Sequence, residues 1–103
     1  MTDVPTSRDL QLLRSEVIRV LGPLLASGRV RCWLFGSRAR GTAGPRSDID
    51  LALDGEVPSG MLGKLRAAIE ESRILCHVDL VDLARASASL RDAVAREGVP
   101  WPT

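Results

Sequence analysis

Apolar residues recur at Leu10, Leu13, Val17, Val20, Leu21 and Leu24, a three-to-four spacing that predicts an amphipathic helix. Thr6 or Ser7 stands ahead of it as a capping residue, Gly22-Pro23 is expected to kink it or end it early, and Ser27-Gly28 stops it. The pattern then changes period. Arg29 to Phe35 (RVRCWLF) alternates and then turns apolar, the mark of a strand that delivers its end, Gly36, to a loop. Residues 36–47 (GSRARGTAGPRS) are rich in Gly, Ser and Arg, so they form a long loop with room for one helical turn. Asp48 to Asp54 (DIDLALD) alternates again, placing Ile49, Leu51 and Leu53 on one face of a strand and Asp48, Asp50 and Ala52 on the other. After breakers at 55–60, Leu62, Leu65, Ala68 and Ile69 describe a second helix reaching about Ser72, with Ser59 as its cap. Residues 73–83 (RILCHVDLVDL) read as a third strand with Leu75, His77, Asp79 and Val81 on a common face. Ser87 or Ser89 opens a last helix carrying Leu90 and Val94, Gly98 closes it, and Val99 to Thr103 form a short tail.

Composition narrows what such a chain does. Its 103 residues suit one domain, spanning 1–103, with no separate substrate-binding domain expected, so a large acceptor surface must come from a partner. Fourteen Lys and Arg against thirteen Asp and Glu leave a net charge of +1, which argues against binding nucleic acid through phosphate neutralisation. Aromatic residues are limited to Trp33, Phe35 and Trp101, too few to stack single-stranded bases. Direct nucleic-acid binding is therefore not expected. No apolar run approaches the roughly 20 residues that span a bilayer, and the polar first eight residues lack signal architecture, so a cytoplasmic location is expected. Cys32 and Cys76 stand apart in apolar surroundings, which suits free thiols better than a disulfide or zinc site.

The chemistry concentrates between residues 36 and 82. Asp48 and Asp50 sit two apart on a strand and project from one face, their Cα atoms roughly 6.5 Å apart. Such a pair is repulsive unless a cation neutralises it, and clustered carboxylates suit Mg²⁺ with phosphate completing its shell. The bland alternative is a solvent-facing strand with two chance acids. Gly36 permits close backbone approach, and the Ser37 hydroxyl with neighbouring N–H groups can hold phosphate oxygens. Arg38, Arg40 and Arg46 lie in the same loop and can neutralise a triphosphate, although some loop charges are simply solvated. His77, the single histidine, either lines the site or marks the sheet margin. Core packing accounts for Trp33 and Phe35, whereas Trp101 between two prolines is either packed or an exposed anchor for a partner.

The arrangement of Gly36-Ser37, ten residues and then Asp48-Ile49-Asp50 resembles the signature of the polymerase-beta-type nucleotidyltransferases. It is most similar to the minimal nucleotidyltransferases (MNT) that act as antitoxins. The likeness covers about residues 30–83, with the C-terminal helix and tail at 84–103 outside its core motifs. It implies an α/β (α+β) fold, a small mixed sheet of three to four strands with helices packed mainly on one face and the site on the other. It also implies a third carboxylate on a later strand. Asp79, mid-strand between Val78 and Leu80, fits that role better than Asp82, which lies near the strand end where turn formation is expected.

By this resemblance Asp48, Asp50 and Asp79 are catalytic residues and metal ligands, two Mg²⁺ ions are the cofactors, and ATP is the nucleotide donor held by Gly36, Ser37, Arg38 and Arg40. The implied partner is a HEPN-type toxin that receives AMP on a hydroxyl, a tyrosine, in a possible hetero-oligomer. Other readings are an antitoxin that neutralises by occlusion, a nucleotidyltransferase acting on a small molecule with a partner-supplied acceptor site, and a metal nuclease. The upstream Gly-Ser cradle suits a triphosphate better than the phosphodiester of the last.

Overall fold

A computed structural model describes residues 4–40 and 48–102, with backbone alone for residues 4–7, 38 and 40. Its elements run α1 (Val4–Ser27), β1 (Val30–Phe35), α2 (Ser37–Arg40), β2 (Ile49–Gly55), α3 (Met61–Glu70), β3 (Val78–Asp82), a 3-10 turn (Leu83–Arg85), α4 (Ala88–Glu97) and β4 (Val99–Pro100). The strands form one mixed sheet ordered β3-β2-β1-β4. β1 pairs antiparallel with both β2 and β4, and β2 pairs parallel with β3. Parallel neighbours need a crossover, and α3 supplies it.

Alternation along the strands divides the sheet into two faces. Val30, Cys32 and Leu34 of β1, Ile49, Leu51 and Leu53 of β2 and Leu80 of β3 point to one side. They pack there against Leu13, Val17 and Leu21 of α1 and Leu65 of α3. All three β2 residues and all four helical ones are fully buried, so cutting any of the leucines to Ala is a loss of about 2–5 kcal/mol. On the opposite face Phe35, Ala52, Leu83 and Val94 make a smaller cluster, with Trp33, Val81 and Leu90 packed on it. α4 thus covers part of the face that α1 and α3 leave bare. The expected mixed sheet is present, with two of the three longer helices on one side. Among the described residues no helix is long and apolar enough to cross a membrane.

Several local expectations need correction. α1 begins at Val4, ahead of Thr6 and Ser7, because Pro5 is tolerated in a first helical turn. It also continues through Pro23 to Ser27, since Leu24 and Leu25 beyond the proline pack on the core and offset the lost hydrogen bond. The N-cap of α3 is Gly60 in a left-handed conformation with φ of 82°, without a side-chain cap, rather than Ser59. The tail is partly a strand: Val99 pairs with Leu34 and Pro100 with Trp33, at a sheet edge where a proline's missing donor costs nothing. Trp101 donates its N–H to the Cys32 carbonyl at 3.0 Å and packs on the main core, so it is a packing residue and not an exposed anchor.

The largest departure is the third strand, which starts at Val78 and not at Arg73. Residues 73–77 are held instead by the first helix. The Asp9 carboxylate, in a residue 3% exposed, accepts from the backbone N–H groups of Leu75 at 3.2 Å and Cys76 at 3.0 Å. Arg8 donates to Asp9 Oδ1 at 3.1 Å and to the Arg73 carbonyl at 3.2 Å. Amides committed to a side chain cannot join a ladder. Burial pushes the Asp9 carboxyl up, but the Cys76 thiol, the two backbone donors and the Arg8 guanidinium together outweigh it and hold the pKa below its usual value of 3.8.

Because that pKa is depressed in the folded state, the stability it confers is present above about pH 4 and disappears as pH falls through the native pKa. Urea unfolding followed against pH should show this as a falling acid limb that is flatter in Asp9→Asn, which carries no ionisable carboxyl. Asp9→Ala, which strands two buried N–H groups, should lose about 2–4 kcal/mol at neutral pH; an unchanged midpoint would show that the clamp contributes nothing.

Candidate active site

β1 ends on the buried Phe35 and passes into Gly36, whose φ is 76°. That left-handed backbone suits glycine, and a second constraint reinforces it. A Cβ built on Gly36 would collide with Oδ2 of Asp50, so the Asp50 carboxylate occupies the space a side chain would take. Asp50 is the register partner of Phe35 on β1 and of Asp79 on β3. Paired residues on neighbouring strands project to one face about 4.8 Å apart. The turn at Gly36, Asp50 and Asp79 therefore lie in order across three strands, at the end of the face that the small cluster under α4 does not occupy. Asp48 precedes β2 by one residue and is exposed, as is Asp79, whereas Asp50 is half-buried.

Ser37 opens the single turn α2, the helical turn expected in the loop. The N-terminal end of a helical turn directs its leading N–H groups outward along the axis. The backbones of Arg38 and Arg40 belong to α2, while their side chains, and Arg46 with the rest of 41–47, lie outside the described residues. Among the described residues no three His, Cys, Asp or Glu side chains converge closely enough to hold a metal ion together. The donors that register does align, Asp50 and Asp79, with Asp48 two residues before Asp50, are hard oxygens of the type Mg²⁺ prefers.

Two neighbours have other work. Asp82 accepts from the Ala84 N–H at 3.0 Å and caps the 3-10 turn, a turn-forming position at the strand end. His77 is exposed, and its carbonyl accepts from Ile49 N–H at 2.9 Å, starting the β2–β3 ladder. Sequence reasoning overlooked Arg66 of α3, which donates to the Leu80 carbonyl at 3.5 Å, and Asp9, whose loop clamp leads directly into β3. Asp9 did leave a signal: it lies four residues before Leu13 on the row that continues through Val17 and Leu21, where an acid faces the core.

The polymerase beta nucleotidyltransferase family matches residues 29–100. The chain is 39% identical over 66 residues, 62% of its own length, to a probable protein adenylyltransferase, MntA, of Haemophilus influenzae. That match spans 58% of the Haemophilus protein, less than two thirds of it. Among solved structures it is similar to a toxin–antitoxin with AMP-PNP, at 29% identity and a TM-score of 0.58 over 87% of this chain and 73% of the other. It is also similar to a chain of the tri-AMPylated Shewanella oneidensis HEPN toxin in complex with MNT antitoxin, at 27% identity and a TM-score of 0.54 over 91% and 73%. With the family pattern spanning most of its length and the fold that pattern implies, the chain belongs to the polymerase beta nucleotidyltransferases.

Proposed function

We propose that this chain transfers AMP from ATP to a tyrosine hydroxyl of a HEPN-type toxin and so acts as its antitoxin. The observation that carries the reading is the alignment of Asp79 with Asp50 across the parallel pair, beside a glycine turn whose missing side chain Asp50 exploits. The names of the similar proteins support the same reading: one is a probable protein adenylyltransferase, another an antitoxin in complex with an AMPylated HEPN toxin.

In this reading Gly36 and Ser37 hold the β- and γ-phosphates, and Arg38 and Arg40 neutralise their charge. Asp48 and Asp50 would hold Mg²⁺, with Asp79 as a further ligand, through hard carboxylate oxygens. Mg²⁺, when bound, supplies charge neutralisation at the attacking and leaving oxygens. The hydroxyl oxygen attacks the α-phosphorus as its proton passes to water, the bond from that phosphorus to the α,β-bridging oxygen breaks, and pyrophosphate leaves towards Gly36. Attack and departure must lie roughly in line, and the order Asp79, Asp50, Gly36 across the sheet provides such a line. A cytoplasmic site of action agrees with two cysteines, Cys32 and Cys76, that form no disulfide.

Asp79→Asn should depress AMP transfer at least about 100-fold while changing ATP affinity little, a loss of the size seen when one electrostatic contact to the reacting centre is removed. Asp82→Ala should keep transfer and lose about 1 kcal/mol of stability with its cap. The opposite ranking in a transfer assay would move the third carboxylate to Asp82. Gly36→Ala should abolish transfer, because the new methyl displaces Asp50 and the left-handed backbone penalises it. Removal of Mg²⁺ with EDTA should eliminate tight ATP binding in calorimetry; equal affinity without the ion would contradict the carboxylate roles.

Enzyme and occluding partner differ in stoichiometry. A substoichiometric amount of this chain with ATP and Mg²⁺ should silence excess toxin and add AMP to its intact mass. Neutralisation only at equimolar protein, with no added mass, would reduce the chain to a binding module.

A further inference from the structure

Asp79 stands one residue inside β3, and β3 is the outer strand of the sheet, laddered to β2 on one side alone. Strand ends open before strand centres because fewer contacts hold them. Register therefore places this carboxylate beside Asp50 without by itself keeping it there. The Asp79 side chain is exposed, so its fixed point comes from the backbone that leads into the strand.

That backbone is anchored from outside the sheet. Ser72 donates its N–H to the Ile69 carbonyl at 3.1 Å and Ile74 to Ser72 Oγ at 3.2 Å, both local contacts at the end of α3. Leu75 and Cys76 donate instead to one oxygen, Oδ2 of Asp9. The next residue, His77, begins the ladder by accepting from the Ile49 N–H. Asp9 is itself buried, on the helix that Leu13, Val17 and Leu21 fix to the main core. Water could satisfy the same two amides, but in a loop free to move. A carboxylate on a packed helix satisfies them at a fixed point, and charge-assisted bonds are about twice as strong as neutral ones. Arg8, the neighbouring residue, ties the Arg73 carbonyl, so two consecutive helical residues hold both ends of the approach to β3.

We propose that Asp9 is a positioning residue for AMP transfer: by holding the amides of Leu75 and Cys76 it fixes the start of β3 and keeps the Asp79 carboxylate in place beside Asp50. The inference rests on the transfer reading above and deepens it by extending the machinery into α1, ahead of the residues 29–100 that the family pattern matches. A displacement of about 1 Å at a reacting centre costs about 100-fold in rate, so a frayed strand start is enough to impair catalysis in a chain that remains folded.

The test compares AMP transfer to the HEPN-type toxin at a temperature where circular dichroism shows each variant folded. Asp9→Ala should lower kcat about 10- to 100-fold, the range for residues that orient a metal ligand, with KM for ATP little changed. Asp9→Asn keeps an oxygen for both N–H groups and should restore most of the loss. Val17→Ala, which weakens the same core without touching the loop, should leave kcat unaltered. In an Asp79→Asn background Asp9→Ala should add no further loss, because a residue that acts through another has no effect once that other is gone. Hydrogen exchange should be faster at residues 78–82 of Asp9→Ala and unaltered in β1 and β2. Arg8→Ala, which removes a half-exposed side chain, should give a smaller kcat loss of the same kind and decides the matter if Asp9→Ala does not fold. A kcat for Asp9→Ala equal to that of Val17→Ala, losses that multiply in the double variant, or, where only Arg8→Ala folds, a kcat unaltered in it, overturns the positioning role and leaves the transfer reading intact. If the unaltered chain adds no AMP to the toxin, the transfer reading fails, and the positioning role fails with it.

Discussion

Parallel pairing of β2 with β3 cannot be closed by a hairpin, and that requirement organises the molecule. The chain must leave the sheet after Gly55, cross it as α3 and re-enter at Val78 in register with Ile49. A shift of one residue would turn Leu80 away from the core and Asp79 towards it, exchanging a buried leucine for a buried carboxylate. The hydrophobic core therefore enforces the register, and the register places Asp79 beside Asp50. Burial of Leu51, Leu65 and Leu80 on one face fixes the carboxylate geometry on the other.

The carboxylate face is shared between packing and chemistry. Phe35, Ala52, Leu83 and Val94 bury the part that α4 covers, and the carboxylates lie at the uncovered end. Ala52, fully buried, follows Asp50 on the same face; a larger side chain there would lift α4. The sequence DIDLALD thus switches, within three alternate positions, from carboxylates to core. At the boundary Gly36 has no side chain because Asp50 fills the space. Two elements far apart in sequence are fitted to one another at a single atom.

Much of this was legible beforehand because period-two alternation is a direct record of which face a residue occupies. Ile49, Leu51 and Leu53 against Asp48 and Asp50 could hardly be read otherwise, and Leu80 between Asp79 and Val81 repeats the pattern. The helical turn after Gly36 was legible for a similar reason: Ser-Arg-Ala-Arg has no β-branched residue to oppose it. The failures have a common cause, which is that local rules do not see tertiary partners. RILCH carries strand-like alternation, but its amides bind Asp9, some 66 residues earlier in the chain. Pro23 reads as a breaker, and Pro100 falls in what reads as a plain tail. One is carried by the packing of Leu24 and Leu25, and the other sits at an edge where nothing needs its N–H.

Asp9 shows how a polar group can be placed in a core position and still stabilise. A carboxylate taken out of water loses several kcal/mol of hydration, and an unpartnered one would take up a proton. Here the thiol and backbone of Cys76, the backbone of Leu75 and the Arg8 guanidinium all favour the charged form, and their sum exceeds the desolvation. An isosteric leucine would extend the row through Leu13, Val17 and Leu21 with more apolar contact, but it would leave two backbone donors of residues 73–77 without an acceptor. Those residues lead straight into Val78, so the length of β3, and with it the position of Asp79, depends on one ion in the first helix. An acidic residue remote from the candidate site in sequence is thereby mechanically its neighbour.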